Sequence, residues 1–417
     1  MYYYAVENQL AVSFLPDLPF TLAEEGAPSL FLTALSPQDR AAWHLTDPRQ
    51  ISGPQDVRFL DPSRLGAVPP LPEAVEKAIG RGEVQAVNTA HPGWRRAVEF
   101  CRRGGRKKRV HLLAAGDVGG TLLTALKLLG REEISALGIY DINEKAAARW
   151  EAELGQIAWP WDYGALPEAE LLAEEDLFHC DVFLFAATKA VPPLGSGVSD
   201  VRMAQLAANR PIVELYAKKA REVGFRGLFI VLSDPVDPLC RAAWLASNRD
   251  ETGRWDGLGL LPEQIQGFGL GVMNARAAYF AKKDDEFSLF LTEGRSFGPH
   301  GRGLVIANSV ERYQDSLSQA LTERVLTANL RVRDLGFKPF VAPAVSSGAM
   351  QLLLTLRGEW HCGSVCLGGV WFGVRNRFTP QGLETEAMAL PEALFRRLQE
   401  TEVLLRGNIT SELEDRK

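Results

Sequence analysis

The order of apolar and polar positions changes character near Arg109. From there RVHLLAAGDVGGTLLTALKLLG reads as a buried strand, a glycine turn and a helix whose apolar residues recur at helical spacing. ISALGIYDIN predicts a second strand, NEKAAARWEAEL a helix, DVFLFAAT a third strand and Val201 to Val223 a long helix. GLFIVLS predicts a fourth strand, running up to Asp234-Pro235. Strands that alternate with helices of this length predict parallel βαβ units in a doubly wound sheet. After about residue 262 the rhythm is mixed, with a long helix expected over Val310 to Arg331 and a hairpin over GEWHCGSVCLGGVWFGV. Residues 1 to about 105 instead combine short apolar runs with many prolines, among them VPPLPEAVEKAI, where proline leads into a helical pattern. The expected class is α/β. A small N-terminal appendage (1–105) of no legible chemistry precedes a doubly wound parallel domain (106–262) and a second, α+β domain (263–417).

Bulk properties narrow the function classes. A chain of 417 residues is long enough for two or three cores. With 46% hydrophobic and 24% charged residues it has the composition of a folded protein. A net charge of -6 argues against a nucleic-acid-binding face. The one dense basic run, RRGGRKKR from Arg102 to Arg109, reads as a solvated linker. MYYYAVENQL has no basic stretch leading an apolar one, and no apolar run approaches the about 18 residues of a membrane span, so the expectation is a cytoplasmic protein without membrane partners. Cys101, Cys180, Cys240, Cys362 and Cys366 are odd in number and scattered, which suits reduced thiols. His361, Cys362 and Cys366 lie in a strand-like apolar stretch without a second ligand pair, so core packing is expected there and no metal.

Candidate chemistry begins at the glycine turn. A dinucleotide fingerprint needs a tight turn after the first strand, bare backbone for the pyrophosphate and a helix N-terminus aimed at it. The turn Ala114-Ala115-Gly116-Asp117-Val118-Gly119 keeps the central and last glycines of G-x-G-x-x-G but has alanine at the first, which is strained if that position requires positive φ. Asp141 ends the next strand, 25 residues after Gly116, where a carboxylate can accept both hydroxyls of an adenosine ribose. That carboxylate favours NAD over NADP, whose 2′-phosphate would meet a negative charge. By themselves these features also fit an ordinary βα turn with a surface aspartate.

Four later segments resemble the lactate/malate dehydrogenase family, over roughly residues 107 to 410. SDPVDPLCRAAW, from Ser233 to Trp244, is similar to the family's strand-end Asn-Pro-Val-Asp and the helix after it. LPEQIQGFGLGVMNARAAYF is similar to its Leu-Pro, Gly-x-Gly and Asp-x-x-Arg helix. GRSFGPHGRG resembles the turn that holds the catalytic histidine, and GSGVSDVRMAQLAANRPIVE the mobile substrate loop with its helix. The spacings agree as well: Arg276 precedes His300 by 24 residues and Asn209 precedes Asp234 by 25. The resemblance implies a Rossmann domain that binds NAD through residues 114–119, Asp141, Ala186, Ala187 and Asn209, followed by a substrate domain. It implies His300 as the acid/base and Arg276 as the two-pronged holder of a substrate carboxylate. Arg202 would polarise the substrate carbonyl, with Asp200 there in an alternative register of a loop two residues longer than usual, and Ser346 and Ser347 would line the pocket. Substrate preference would lie in Val191 to Ser199. Family members commonly assemble as homodimers or homotetramers.

The departures fall at functional positions. The family pairs its histidine with an aspartate three residues before the arginine, and here Met273 stands there. Asp234, where the family has asparagine, is a candidate replacement if its side chain reaches His300; Asn274 is a lesser one. Ala186-Ala187-Thr188 stands where the family commonly shows Thr-Ala-Gly, and Asp234-Pro235 is a candidate cis bond. The leading expectation is an NAD-dependent 2-hydroxyacid dehydrogenase with an altered dyad. The other is a non-catalytic NAD-binding or regulatory protein on the same scaffold.

Overall fold

A computed structural model describes residues 1–100, 105–189 and 201–413, with the side chains of 201, 202 and 408–413 outside the description. Strands β1 (Tyr2–Val6) and β2 (Gln9–Ser13) form a hairpin whose turn residues Glu7 and Asn8 both have positive φ, 47° and 66°. Such a turn matches the twist of the strands it joins. There follow β3 (Thr21–Leu22), β4 (Leu30–Thr33), β5 (Ala42–His44), helix α1 (Glu73–Gly80), β6 (Gln85–Asn88) and α2 (Trp94–Phe100). The six strands form one mixed sheet in the order β3-β1-β2-β4-β6-β5.

The central sheet begins at β7 (Lys108–Leu113), followed by α3 (Asp117–Leu129), β8 (Ile134–Tyr140), α4 (Glu144–Gly155), β9 (Glu168–Leu171) and β10 (Val182–Phe185). It continues through α5 (Val201–Glu222), β11 (Leu228–Val231), α6 (Val236–Ser247) and β12 (Ile265–Gly267). These strands run parallel in the order β9-β8-β7-β10-β11-β12. Numbered by appearance this is 3-2-1-4-5-6, the order of dinucleotide-binding sheets, with the direction of winding reversing between β7 and β10. Helices cover both faces, which is why VFLF of β10 is buried at every residue and reads as an unbroken apolar run. The edge strand β9, EAEL, has no fully buried residue, and its polar sequence hides it from the pattern.

The rest of the chain contributes α7 (Leu270–Ala281), α8 (Phe290–Glu293), the strand pair β13 (Arg295–Phe297) and β14 (Val305–Ala307), α9 (Asp315–Asp334), a π-helical stretch Pro343–Ala349 and α10 (Met350–Arg357). Strands β15 (His361–Leu367), β16 (Val370–Thr379) and β17 (Gly382–Thr385) precede the last helix, α11 (Glu392–Leu413). β15 joins β12 antiparallel, Gly267 opposite Ser364, so the expected hairpin extends the central sheet and β17, pairing with β16, completes nine strands. Helix α9 starts at Asp315 and not at Val310: the amide of Val310 bonds the carbonyl of Glu293 and that of Arg312 the hydroxyl of Ser309, which holds those residues in a turn.

One apolar core joins Phe31 and Trp43 of the N-terminal sheet, and Phe59 from a 3-10 turn after β5, to Val365, Phe372 and Leu394 of the C-terminal part. Glu263 adds a polar tie, its Oε1 accepting from the amides of Ala41 (2.6 Å) and Ala42 (3.1 Å). Cys180, Cys240, Cys362 and Cys366 are free thiols. His361 is buried, with Nε2 3.1 Å from Thr355 Oγ1 and 3.2 Å from Gln266 Oε1, and burial pushes it down to about 4. Among the described residues no group of side chains is arranged to hold a metal, and no helix is long and apolar enough to cross a membrane. The basic run is anchored where it enters β7: Arg106 pairs with Asp181 at 2.6 Å, and Lys107 donates to the carbonyl of Arg131.

Candidate active site

In a doubly wound sheet the ligand crevice lies beyond the carboxyl ends of the strands where the winding reverses, here β7 and β10 with β11 beside them. Ala114, just past β7, has φ of 76°, so the left-handed conformation usual for glycine is imposed on a residue with a Cβ. Its neighbours hold it there. The amide of Ala114 bonds the carbonyl of Tyr140, the amide of Ala115 donates to Asp141 Oδ2 at 2.8 Å, and Trp150 Nε1 donates to the carbonyl of Ala115 at 2.8 Å. Asp141 is fixed on its other oxygen by the amide of Asn143, also at 2.8 Å. Gly116 caps α3 without a side-chain hydrogen bond, and a Cβ placed on it would meet nothing within 4 Å. At Gly119 a Cβ would collide with the carbonyl oxygen of Ala114. Bare backbone at Gly116, close helix-to-strand packing at Gly119 and an anchored carboxylate at Asp141 are what a dinucleotide needs here, so the residues present fit the group. Val118 packs partly buried against the core beneath, whereas Asp117 is exposed, 3.0 Å from Lys338 Nζ.

The far side of the crevice is tied by Asn209. Fully buried on α5, it accepts from the amide of Lys189 at 2.8 Å and donates to Thr188 Oγ1 at 3.1 Å and to the carbonyl of Asp234 at 2.8 Å. Ser233 Oγ donates to the carbonyl of Ala187 at 2.7 Å, and the amide of Ala186 bonds the carbonyl of Leu113. These bonds fix the ends of β7, β10 and β11 relative to one another.

His300 stands in the turn between β13 and β14. The turn is led by Gly298, whose φ is +82° and whose amide bonds the carbonyl of Gly373. His300 Nδ1 lies 3.0 Å from Asp234 Oδ1. The side chains are 18% and 47% exposed, so the pair is open to solvent on one side. Asp234 follows β11, and its bond to Pro235 is cis. Gly269 is required here, since a Cβ on it would stand 2.7 Å from the Cβ of His300. Met273 is buried with Leu270, Ala277 and Phe287 under α7, and Asn274 is engaged with Ser296 Oγ at 3.2 Å; no hydrogen bond joins either to His300.

Arg276 is partly buried, and among the described residues its Nη1 has only weak partners, Met273 Sδ and the carbonyl of Val325, both at 3.5 Å. Burial lowers its pKa and the charge of Asp234 opposes that, so the two side chains share one electrostatic environment. Of the two serines, Ser347 is structural: buried, it accepts from the amide of Val272 and donates to the carbonyl of Gly269 at 2.9 Å. Ser346 is only partly buried, on the π-helical stretch, and its carbonyl accepts from Gln351 Nε2. The side chain of Arg202, Asp200 and the loop Val191 to Ser199 lie outside the described residues.

One neighbour of the pair was not singled out from sequence, although it lies in the quoted SDPVDP. Asp237, in the first turn of α6, is buried and accepts from Ser364 Oγ. Burial pushes its carboxyl up to about 6, while Ser364 and then the charge of His300 pull it down.

A doubly wound sheet in the dinucleotide-binding order, continued by an antiparallel extension, thus carries a histidine paired with an aspartate beyond one strand end and an arginine that feels the charge of that aspartate. No protein-family model matches the chain. L-Lactate dehydrogenase of Treponema denticola is 28% identical over 196 residues, 47% of this chain and 56% of that protein. That of Mesomycoplasma hyopneumoniae is 26% identical over 203 residues, 48% and 58%. The chain thus spans little more than half the length of these curated relatives. Among solved structures, the minor L-lactate dehydrogenase from Enterococcus mundtii in its ligands-bound form shares the fold with a TM-score of 0.59 at 19% identity, over 73% of this chain and 98% of that one. Malate dehydrogenase from Archaeoglobus fulgidus in complex with NADH gives 0.57 at 18%, over 73% and 99%. In sequence over about half its length, and in fold over most of it, the chain is thus similar to lactate and malate dehydrogenases.

Proposed function

We propose that this protein is an NAD-dependent dehydrogenase that moves a hydride between the cofactor and a 2-hydroxy or 2-keto acid, with Asp234 and His300 as its proton-handling pair. The observation that carries this reading is the 3.0 Å contact between His300 Nδ1 and Asp234 Oδ1. A carboxylate on Nδ1 fixes the tautomer and the ring's orientation and leaves Nε2 to exchange a proton with the substrate oxygen. In the reducing direction Nε2 gives that proton to the carbonyl oxygen as the carbon receives the hydride; in the oxidising direction it takes the proton back. Arg276, with no ion-pair partner among the described residues, holds the substrate carboxylate through two parallel hydrogen bonds. The nicotinamide, when bound, supplies or accepts the hydride. Ala114 to Gly119, Ala186, Ala187 and Asn209 shape the cofactor crevice, and Asp141 takes the adenosine ribose and disfavours a 2′-phosphate. Ser346 lines the pocket, and polarising the substrate carbonyl is the role assigned to Arg202. By likeness to the family, the protein works in the cytoplasm as a homodimer or homotetramer, with residues 106–262 for the cofactor, 263–417 for the substrate and 1–105 added in front.

The test is NADH oxidation by the purified protein against pyruvate, oxaloacetate and bulkier 2-keto acids, beside His300→Ala. Turnover that disappears in His300→Ala supports the reading. NADH binding with no turnover across the panel would instead favour a cofactor-binding or regulatory protein on this scaffold.

A further inference from the structure

The first turn of α3 carries a charge that opposes its expected ligand. Asp117 follows Gly116 directly and is half exposed, at the helix end where the cofactor diphosphate would sit. A helix N-terminus offers about half a positive charge, and one carboxylate in the same turn more than cancels it. The chain restores the sign with Lys338, whose Nζ lies 3.0 Å from Asp117 Oδ2. Lys338 comes from the segment between α9 and the π-helical stretch and is 81% exposed, so nothing packed around it fixes it to that one partner. Its ammonium is a mobile point charge with three donors on a flexible stem. Gly116, beside it, leaves open the space that a diphosphate needs.

We propose that Lys338 is a ligand of the cofactor diphosphate, presented to the crevice by Asp117, so that dinucleotide binding exchanges one ion pair for another. The stronger anion draws the ammonium, and Asp117 is left as a counterweight that weakens retention of the cofactor. The proposal rests on the NAD reading above.

The full-length protein, Lys338→Met and Asp117→Asn are compared for NADH binding by fluorescence and for displacement of NADH by ADP-ribose and by adenosine, at low and moderate salt. Lys338→Met is expected to weaken NADH and ADP-ribose about threefold to tenfold at low salt, less at moderate salt, and to leave adenosine unchanged. Asp117→Asn is expected to tighten NADH and ADP-ribose by a similar factor. Unchanged ADP-ribose binding in Lys338→Met, or an equal loss for adenosine, would overturn the role of Lys338 while leaving the NAD reading intact. An unsubstituted protein that binds neither NADH nor ADP-ribose would overturn the NAD reading and this proposal with it.

Discussion

Asp234 Oδ1 lies 3.0 Å from His300 Nδ1 although the two residues are 66 positions apart in the chain, one at the end of a parallel strand and the other in a glycine turn. The carboxylate beside the imidazole therefore comes from the sheet and not from α7, where Met273 is buried in apolar company.

If the pair handles the proton, Asp234→Asn keeps the shape and removes the charge. The expected outcome is a fall in kcat/KM of about 100-fold or more, with NADH affinity changed less than about twofold. Stopped-flow reduction of the preferred keto acid, together with a fluorescence titration of NADH, measures both. Undiminished turnover would remove Asp234 from the mechanism.

Arg276→Lys retains the charge but not the planar fork. For a carboxylate substrate KM should rise at least about tenfold with a smaller change in kcat, because two parallel hydrogen bonds are replaced by one mobile contact. Steady-state kinetics on the acid and its amide separate the roles: similar losses for both substrates would speak against carboxylate recognition.

Ala114 carries its Cβ at φ of 76°. Relief of left-handed strain by Ala114→Gly is worth about 1–2 kcal/mol, and the added freedom of the unfolded chain takes back about 0.5–1 kcal/mol. The net expectation is a variant more stable by about 0.5–1 kcal/mol, readable in denaturant melts. A less stable variant would mean that the methyl group contributes packing worth more than the strain.

Glu263 is buried where the N-terminal sheet meets the central one, and burial pushes its carboxyl up to about 7 despite the Ala41 and Ala42 amides and the nearby charge of Arg40. A folded-state pKa above the unfolded value favours the fold below the unfolded pKa, and that contribution is lost as pH rises through about 7. Between pH 5 and 8 the residue should remove roughly 3 kcal/mol of stability, at about 1.4 kcal/mol per pKa unit. Glu263→Gln should flatten that slope, and thermal melts across the range that show the same slope in both proteins would refute the assignment.

The alternating apolar pattern after Arg109, the glycine turn with Asp141 after the second strand, and the spacing of Asn209, Asp234, Arg276 and His300 were all legible in the chain, because each rests on local periodicity or on distance along it. Strand β9 was not, since a polar edge strand is defined by pairing with β8 and carries no apolar signature. The sharing of one core by the N-terminal sheet and the C-terminal strands was equally hidden: burial depends on which surfaces meet, and residues such as Phe31 and Phe372 lie hundreds of positions apart. The site divides in the same way. Sequence determined that Met273 could not serve the histidine and made Asp234 a candidate replacement, provided its side chain reached His300. Only the tertiary structure decided that Asp234 lies within hydrogen-bond reach of His300, because the reach of a short carboxylate to an imidazole is set by how the segment after β11 and the His300 turn pack, and neither segment encodes that distance alone.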